Sequence, residues 1–175
     1  TAKKIVIKLF KLKKTQKIMS RFLYTKQYLR YKLSAKDEYS LHSPLMFDFF
    51  TKGLKKYCKS KDISFDSCFE SLIPNSKRKR KFLFKVFEYF KSQGFQVIYV
   101  PNEDFTLEKL EVLKSYKTNT AIVIEKIYKE REKITLWKEI KANKDFKLCC
   151  DFFDFGLVLL TDRPLKKQNY VLRKK

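Results

Sequence analysis

The sequence predicts an α/β fold with N-terminal helices and a mostly parallel sheet that ends in an antiparallel hairpin. From residue 95 onward, short apolar runs alternate with segments of helical periodicity, a pattern typical of right-handed strand–helix–strand crossovers. The last connection, "DRPLKK", is too short for a crossover, so we expect the final two strands to pair antiparallel. We expect a basic helical arm over residues 1–60 and an α/β domain over residues 61–175.

The arm is expected to contain a basic amphipathic helix over residues 15–33. Ile18, Phe22, Leu29 and Leu33 lie near helical spacing, and lysine and arginine supply much of the remaining surface. Such an apolar stripe most often packs on a core, but it could also lie on a membrane surface or a partner.

The chain's one histidine lies in "LHSPLMFDFF", where the second helix is expected to begin. A serine hydroxyl can cap free N–H groups, and proline suits the first helical turn, so Ser43-Pro44 indicates a helix start. This helix is expected to continue to about Cys58. We interpret His42, with Ser43 and Pro44, as a structural helix-start residue, because a general base needs an orienting partner and a substrate site.

The remaining elements follow from periodicity. After an irregular loop over residues 59–76, the sequence predicts helices over 77–93, 105–116 and 131–143, strands over 95–100, 120–127 and 168–174, and two short strands or one bulged strand over 147–162. Gly94 is expected to end the first of these helices. The first two strands read as buried parallel strands because they are almost continuously apolar.

Positive charge is concentrated in three segments. The net charge is +22, of which residues 1–36 carry +12, residues 76–94 carry +6 and residues 163–175 carry +6. Clustered positive charge predicts a polyanionic partner, either nucleic acid or an anionic membrane surface. A lysine-rich composition without a partner is the alternative.

One basic cluster lies where its charge does not stabilise the predicted helix over residues 77–93. The five consecutive cations of residues 77–81 occupy a predicted first turn, where the helix dipole disfavours positive charge, so their position favours phosphate contacts. Tyr24, Tyr28 and Tyr31 could stack on bases, although tyrosines on a helix are more often packing groups. The predicted nucleic-acid-binding residues are Lys13, Lys14, Lys17, Arg21, Lys77, Arg78, Lys79, Arg80 and Lys81.

The cysteines do not indicate a metal site. Cys58, Cys68, Cys149 and Cys150 form no CxxC pair, and one histidine is too few for usual zinc sets. We expect no metal, reduced thiols and a cytoplasmic location. No apolar run approaches the roughly 20 residues that span a bilayer, and we expect no secretion signal.

The segment "YLRYKLSAKDEYSLHSPLMFDFF" resembles the N-terminal signature of S-adenosylmethionine-dependent methyltransferase-like proteins found in Bacteroidetes. The matching motifs are Ala35-Lys36, the His42 to Pro44 triplet and Phe47-Asp48-Phe49. Three later segments are similar to the second half of that family: "AIVIEKIYKEREKITLWKEI", "CCDFFDFGLVLL" and "NYVLRKK". The resemblance covers roughly residues 20–58 and 95–175, and it implies a Rossmann-like, class I methyltransferase fold.

The departures from that family concern its cofactor site. Such enzymes use a glycine-rich turn after a strand to bring the backbone against the cofactor, and an acidic residue to hold its ribose. The three glycines of this chain form no such motif, and the chain is shorter than the family. The resemblance therefore implies a truncated sheet that lacks its cofactor-binding first half. The remaining candidates for cofactor contact are Asn102, Glu103, Asp104 and Glu125.

These observations predict a degenerate, non-catalytic methyltransferase-like protein that binds a polyanion, most readily RNA, through its basic segments. One alternative is an active S-adenosylmethionine-dependent methyltransferase of shortened form, with a partner protein completing the sheet. Another is a peripheral membrane protein that uses the basic amphipathic helix. A chain that folds and has no activity is a further alternative.

Overall fold

The chain forms an α/β structure in which a five-stranded mixed sheet lies between two helical layers. The computed structural model describes residues 21–37, 40–54, 76–116, 119–162 and 165–173. The helices are α1 (residues 21–34), α2 (Pro44–Asp48, continued by a π-helix over Phe49–Gly53), α3 (Lys77–Ser92), α4 (Leu107–Lys114) and α5 (Arg131–Ala142). The strands are β1 (Gln96–Val100), β2 (Thr120–Glu125), β3 (Leu148–Asp151), β4 (Phe155–Leu160) and β5 (Gln168–Val171).

The strand order is β1-β2-β4-β3-β5. The β1–β2 and β3–β5 pairs are parallel, whereas the β2–β4 and β3–β4 pairs are antiparallel. It follows that β4 runs against the other four strands. The carboxyl ends of β1, β2, β3 and β5 therefore meet at one edge of the sheet, where ligands commonly bind in α/β proteins.

The antiparallel hairpin lies one connection earlier than the sequence predicted. It joins β3 to β4, with Cys149 opposite Val158, and β4 and β5 are not neighbours. The expectation that the last two strands pair with each other is therefore wrong. Because β4 is antiparallel to the other strands, it ends at the edge of the sheet where the parallel strands begin. A short connection past β3 is then enough to reach its parallel partner β5.

Each face of the sheet has its own apolar core. Alternate side chains of β2 divide between the two faces, since Ala121 and Val123 pack with α2 and α3, whereas Ile122 and Ile124 pack with α4 and α5. β2 and β4 are buried along their whole lengths, which explains their nearly continuous apolar sequences.

The start of α2 is held by the last strand. Ser43 is the N-cap residue and Pro44 opens the helix, but the Ser43 hydroxyl makes no capping hydrogen bond. The backbone N–H groups of His42 and Ser43 instead donate to the Tyr170 hydroxyl over 3.2 and 3.1 Å. The His42 side chain is exposed. Expected elements within residues 55–75, including the end of this helix, lie outside the described residues.

The apolar stripe predicted for α1 is not the face that packs. Phe22, Leu29 and Leu33 are 72, 58 and 89% exposed, and Ile18 lies outside the described residues. At helical spacing, Tyr24, Tyr28 and Tyr31 lie on the opposite side of the helix, and this tyrosine face contacts the protein. Within the described residues, no helix has both the length and the apolar character that crossing a membrane requires.

Candidate nucleic-acid interface

A pocket of about 370 Å³ lies at the edge of the sheet where the parallel strands end. Its walls come from α1, the start of α3, the β3–β4 turn and Arg173, which lies just after β5. Ligand-binding pockets in proteins typically start at about 300 Å³, so this volume suits one nucleotide-sized group.

The β3–β4 turn forms the floor of the pocket and has an uncommon backbone conformation. Phe153 has a φ of 67°, in the left-handed region that a bulky side chain rarely adopts. The Phe153 N–H donates to the Asp151 carboxylate over 2.9 Å, and the Asp154 N–H donates to the Phe152 carbonyl over 2.9 Å. The Asp154 carbonyl accepts from the Lys126 N–H over 2.7 Å, which ties the turn to the end of β2.

Asp151 is fully buried and accepts hydrogen bonds from three residues. Besides the Phe153 N–H, it accepts from the Tyr128 hydroxyl and, over 3.3 Å, from the Trp137 indole N–H. Burial raises the pKa of Asp151, and the hydrogen bonds from Tyr128 and Phe153 oppose that rise. Burial, followed by the Asp151 charge, raises the pKa of Tyr128. These hydrogen bonds to the buried Asp151 hold the β3–β4 turn in its conformation.

The turn projects the Phe153 ring into a cluster of four tyrosines. Tyr24 and Tyr28 meet the ring edge-on at centroid distances of 4.9 and 5.0 Å, and Tyr31 meets it at 5.3 Å. Tyr128 stacks on the ring at 5.4 Å. Edge-to-face pairs of this kind stabilise packing beyond the area they bury. The tyrosine face of α1 is therefore the surface that docks this helix.

Backbone contacts to the end of β5 complete the docking of α1. The Tyr31 hydroxyl donates to the Leu172 carbonyl over 2.6 Å. The Lys36 N–H donates to the Val171 carbonyl over 2.9 Å, and the Arg173 N–H donates to the Lys36 carbonyl over 3.2 Å. These contacts bring Arg173 beside the helix and place it in the pocket wall.

The charged residues of the pocket wall are mostly positive. Lys32, Arg78, Lys79 and Arg173 line the pocket together with one acid, Asp154. The Lys32 ammonium lies 5.5 Å from the centroid of the Tyr28 ring, within the range of a cation–π contact. The Lys79 ammonium lies 3.5 Å from the Asp154 carboxylate. Burial is the main cause that raises the pKa of Tyr24, with the Asp154 charge adding to it.

Two of the predicted nucleic-acid-binding residues line this pocket, Arg78 and Lys79. Arg21, Lys77 and Lys81 are exposed and lie outside its lining, and Arg80 is partly buried. Lys13, Lys14 and Lys17 lie outside the described residues.

The sequence analysis did not assign several pocket residues to the site. These are Lys32, Ser76, Phe152, Phe153, Asp154 and Arg173. Lys32 lies in the basic segment of residues 1–36 and Arg173 in that of residues 163–175. The excess positive charge of these segments could therefore have indicated both residues. No sequence pattern indicates the left-handed turn that brings Phe153 and Asp154 to the same surface.

The four candidates for cofactor contact lie near the carboxyl ends of β1 and β2. Glu125 is buried, with its carboxylate 3.2 Å from the Lys126 ammonium. Asn102 is buried, whereas Glu103 and Asp104 are exposed. Burial, followed by the Glu125 charge, raises the pKa of the neighbouring Tyr99. Glu125 therefore interacts with Tyr99 and Lys126 of its own chain.

The glycines do not fit an adenosyl cofactor bound in the Rossmann manner. The chain has three glycines, and each lies in the described residues. A Cβ on Gly53 would approach the Tyr89 ring to 2.8 Å, and a Cβ on Gly156 would approach the Trp137 ring to 2.7 Å. Gly94 follows α3 with a φ of +76°. The turns after β1 and β2 contain no glycine. Their side chains therefore prevent the close approach of the backbone to the cofactor that a glycine-rich turn allows.

Within the described ranges, no three His, Cys, Asp or Glu side chains are grouped so that they could hold a metal ion. Comparison with known proteins gives no match to a family model, to a curated protein or to a solved structure.

Replacing Phe153 with alanine should release α1 from the turn. Removing a buried aromatic ring costs about 3 kcal/mol, so amides of residues 21–34 should exchange with solvent about a hundredfold faster. Hydrogen exchange with mass spectrometry would measure this, using β2 amides as the internal reference. The Phe22→Ala variant is the control, because Phe22 is exposed on the opposite face of the helix. Equal acceleration in β2 would mean that Phe153 supports the whole fold instead.

Titration with S-adenosylmethionine should give no binding heat and no increase in the melting temperature, because the strand-end turns lack the glycine backbone that the cofactor needs. Isothermal calorimetry and thermal unfolding check this on the same sample. A saturable heat signal would contradict the expectation and would favour the shortened-methyltransferase alternative.

Proposed function

We propose that this chain is a non-catalytic methyltransferase-like protein that binds RNA, with a nucleotide held in the aromatic, basic pocket. The supporting observation is that cations from three distant segments meet there. Lys32 comes from the first basic segment, Arg78 and Lys79 from the second, and Arg173 from the third. Charge that reflected composition alone would have no reason to converge beside an aromatic surface.

The chemistry of the pocket suits the two parts of a nucleotide. Arginine and lysine side chains contact phosphate oxygens, and arginine does so with two parallel hydrogen bonds. Aromatic rings supply stacking surfaces for bases, which are accessible in single strands. Tyr24 and Tyr28 are 41 and 40% exposed, so part of each ring remains open to a ligand. A single-stranded RNA is therefore the polyanion that we favour.

The placement of the basic cluster on α3 also supports this proposal. Arg78 and Lys79 lie in the first turn of α3, where backbone N–H groups at the helix end favour an anion and disfavour these cations. A bound phosphate would be attracted by both the cations and the helix end, and it would relieve their mutual repulsion.

The origin of the chain remains a proposal too. Strands β1, β2, β3 and β5 run in one direction, and β4, which forms a hairpin with β3, runs in the other. This arrangement is compatible with a truncated methyltransferase sheet. That a partner protein completes the sheet stays a prediction; among the described residues, β1 pairs only with β2. A cytoplasmic location stays a prediction.

RNA affinity should fall steeply as salt rises, because cations that contact phosphates release counterions. Fluorescence anisotropy with a short labelled oligouridylate would measure the slope. The double variant Arg78→Ala/Arg173→Ala should weaken binding and reduce the slope by about 0.7 for each lost contact. The matched control is Lys138→Ala/Lys144→Ala, which removes the same charge from exposed positions on and just after α5.

Absence of RNA binding at low salt would overturn the proposal. An equal loss of affinity in the control variant would also count against it, because the effect would then come from net charge and not from the pocket.

A second candidate function is association with an anionic membrane through α1. The observation that favours it is the row of exposed Phe22, Leu29 and Leu33 on a helix rich in basic residues. Leu29→Glu/Leu33→Glu should then reduce sedimentation with phosphatidylserine liposomes, whereas Leu107→Glu, which changes an equally exposed leucine of α4, should not. No sedimentation of the unaltered protein with these liposomes would exclude this function.

A further inference from the structure

The pocket wall carries more positive charge than its one carboxylate balances. Its charged residues are Lys32, Arg78, Lys79, Arg173 and Asp154. The Lys79 ammonium lies 3.5 Å from the Asp154 carboxylate, so these two charges offset each other within the protein. The wall therefore retains the charges of three cations for an anionic ligand.

Two of these three cations are the guanidinium groups of Arg78 and Arg173. Within the described ranges, neither side chain forms a hydrogen bond or an ion pair. Arg78 lies in the first turn of α3 and Arg173 lies just after β5, so the two reach the pocket from separate elements. A guanidinium group binds a phosphate through two parallel hydrogen bonds. Two such groups therefore fit a phosphate that has several oxygens free.

Charge and oxygen count distinguish a terminal phosphate from an internal one. An internal phosphodiester carries one negative charge and has two oxygens outside the chain. A terminal phosphate monoester carries about 1.5 to 2 negative charges near pH 7 and has three acceptor oxygens. The monoester therefore matches two guanidinium groups and an excess of three cations better than the diester does.

The dimensions of the pocket concentrate this charge on one group. A volume of about 370 Å³ suits a single nucleotide, so the cations act together at one position and are not spread along a strand. The start of α3 adds to their effect. Ser76, its N-cap residue, lines the pocket without making a capping hydrogen bond, and the positive end of the helix dipole attracts a dianion more strongly than a monoanion.

We infer that the pocket binds the terminal phosphate monoester of an RNA strand, so that this chain recognises RNA ends. The inference rests on the proposed function and names the part of the RNA that the pocket selects. Arg78 and Arg173 bind the phosphate oxygens, and the exposed parts of Tyr24 and Tyr28 contact the terminal nucleotide. A monoester can stand at the 5′ or the 3′ end of a strand, and the experiment distinguishes the two.

The test compares unlabelled pentauridylates as competitors of a fluorescent oligouridylate, with displacement followed by anisotropy at one fixed salt concentration. The three competitors carry a 5′-phosphate, a 3′-phosphate or hydroxyls at both ends. At least one phosphorylated form should compete about tenfold more strongly than the hydroxyl form, because charged hydrogen bonds to the extra phosphate are gained. The form that is preferred identifies the end that the pocket binds.

A fourth competitor separates recognition of an end from attraction to total charge. Heptauridylate with hydroxyls at both ends carries about six negative charges, about the same number as a pentauridylate with one terminal phosphate. The phosphorylated pentauridylate should still compete about fivefold more strongly than this heptauridylate. Equal competition by the two would mean that only the number of charges matters, and it would overturn the inference.

The Arg78→Ala/Arg173→Ala variant should bind the phosphorylated and hydroxyl pentauridylates within about twofold of each other. The matched control Lys138→Ala/Lys144→Ala removes the same charge from exposed positions on and just after α5, and it should keep the tenfold preference. Thermal unfolding of each variant checks that the fold is intact. The comparison of competitors on the unaltered protein requires no variant.

The outcomes separate this inference from the proposed function. Equal competition by all three pentauridylates would overturn the recognition of ends and keep the RNA-binding proposal. A tenfold preference that survives the loss of Arg78 and Arg173 would place the terminal phosphate outside the pocket and would also overturn the inference. Failure of every oligouridylate to bind would overturn both.

Discussion

The buried carboxylate of Asp151 is the interaction on which the candidate site depends. At the end of β3 it accepts from the Phe153 N–H, the Trp137 indole and the Tyr128 hydroxyl. A buried carboxylate without such partners would be strongly destabilising, so these three groups must be in place for the turn to form. In return, the bond to the Phe153 N–H holds that residue in a left-handed conformation that its side chain would otherwise disfavour. The Phe153 ring then provides the surface on which α1 docks.

The docking of α1 brings basic residues from separate segments of the sequence into one pocket wall. Without α1 against the turn, Lys32 would not lie in the same wall as Arg78 and Arg173. Bringing these cations together is electrostatically unfavourable, and the aromatic contacts and the backbone bonds to β5 must offset that repulsion. Asp154 reduces the repulsion by pairing with Lys79. A surface that retains such a charge conflict in its unbound state is suited to an anionic ligand.

The three glycines of the chain serve packing or the end of a helix, and none lies in a turn after β1 or β2. Gly156 allows β4 to lie directly against Trp137, and Gly53 allows the π-helix to pack against Tyr89. Both positions serve close packing within the cores, and Gly94 serves the turn after α3. None is left for a strand-end turn, so the carboxyl edge of this sheet is occupied by side chains. A ligand at that edge would therefore be contacted by charged side chains and aromatic surfaces.

The sequence by itself determined the α/β class, the approximate bounds of α3 to α5 and of the strands, and the three basic segments, because periodicity and charge are local properties of the chain. It identified Arg78 and Lys79 as part of a basic cluster, and both line the pocket. It assigned the packing face of α1 to Phe22, Leu29 and Leu33, whereas these three side chains are exposed. Only the tertiary structure decided that the tyrosines pack instead, because that choice depends on Phe153, more than a hundred residues away. The pairing of β5 with β3 was likewise decided by the reversal of β4, since strand neighbours are set by contacts between distant segments and not by local pattern.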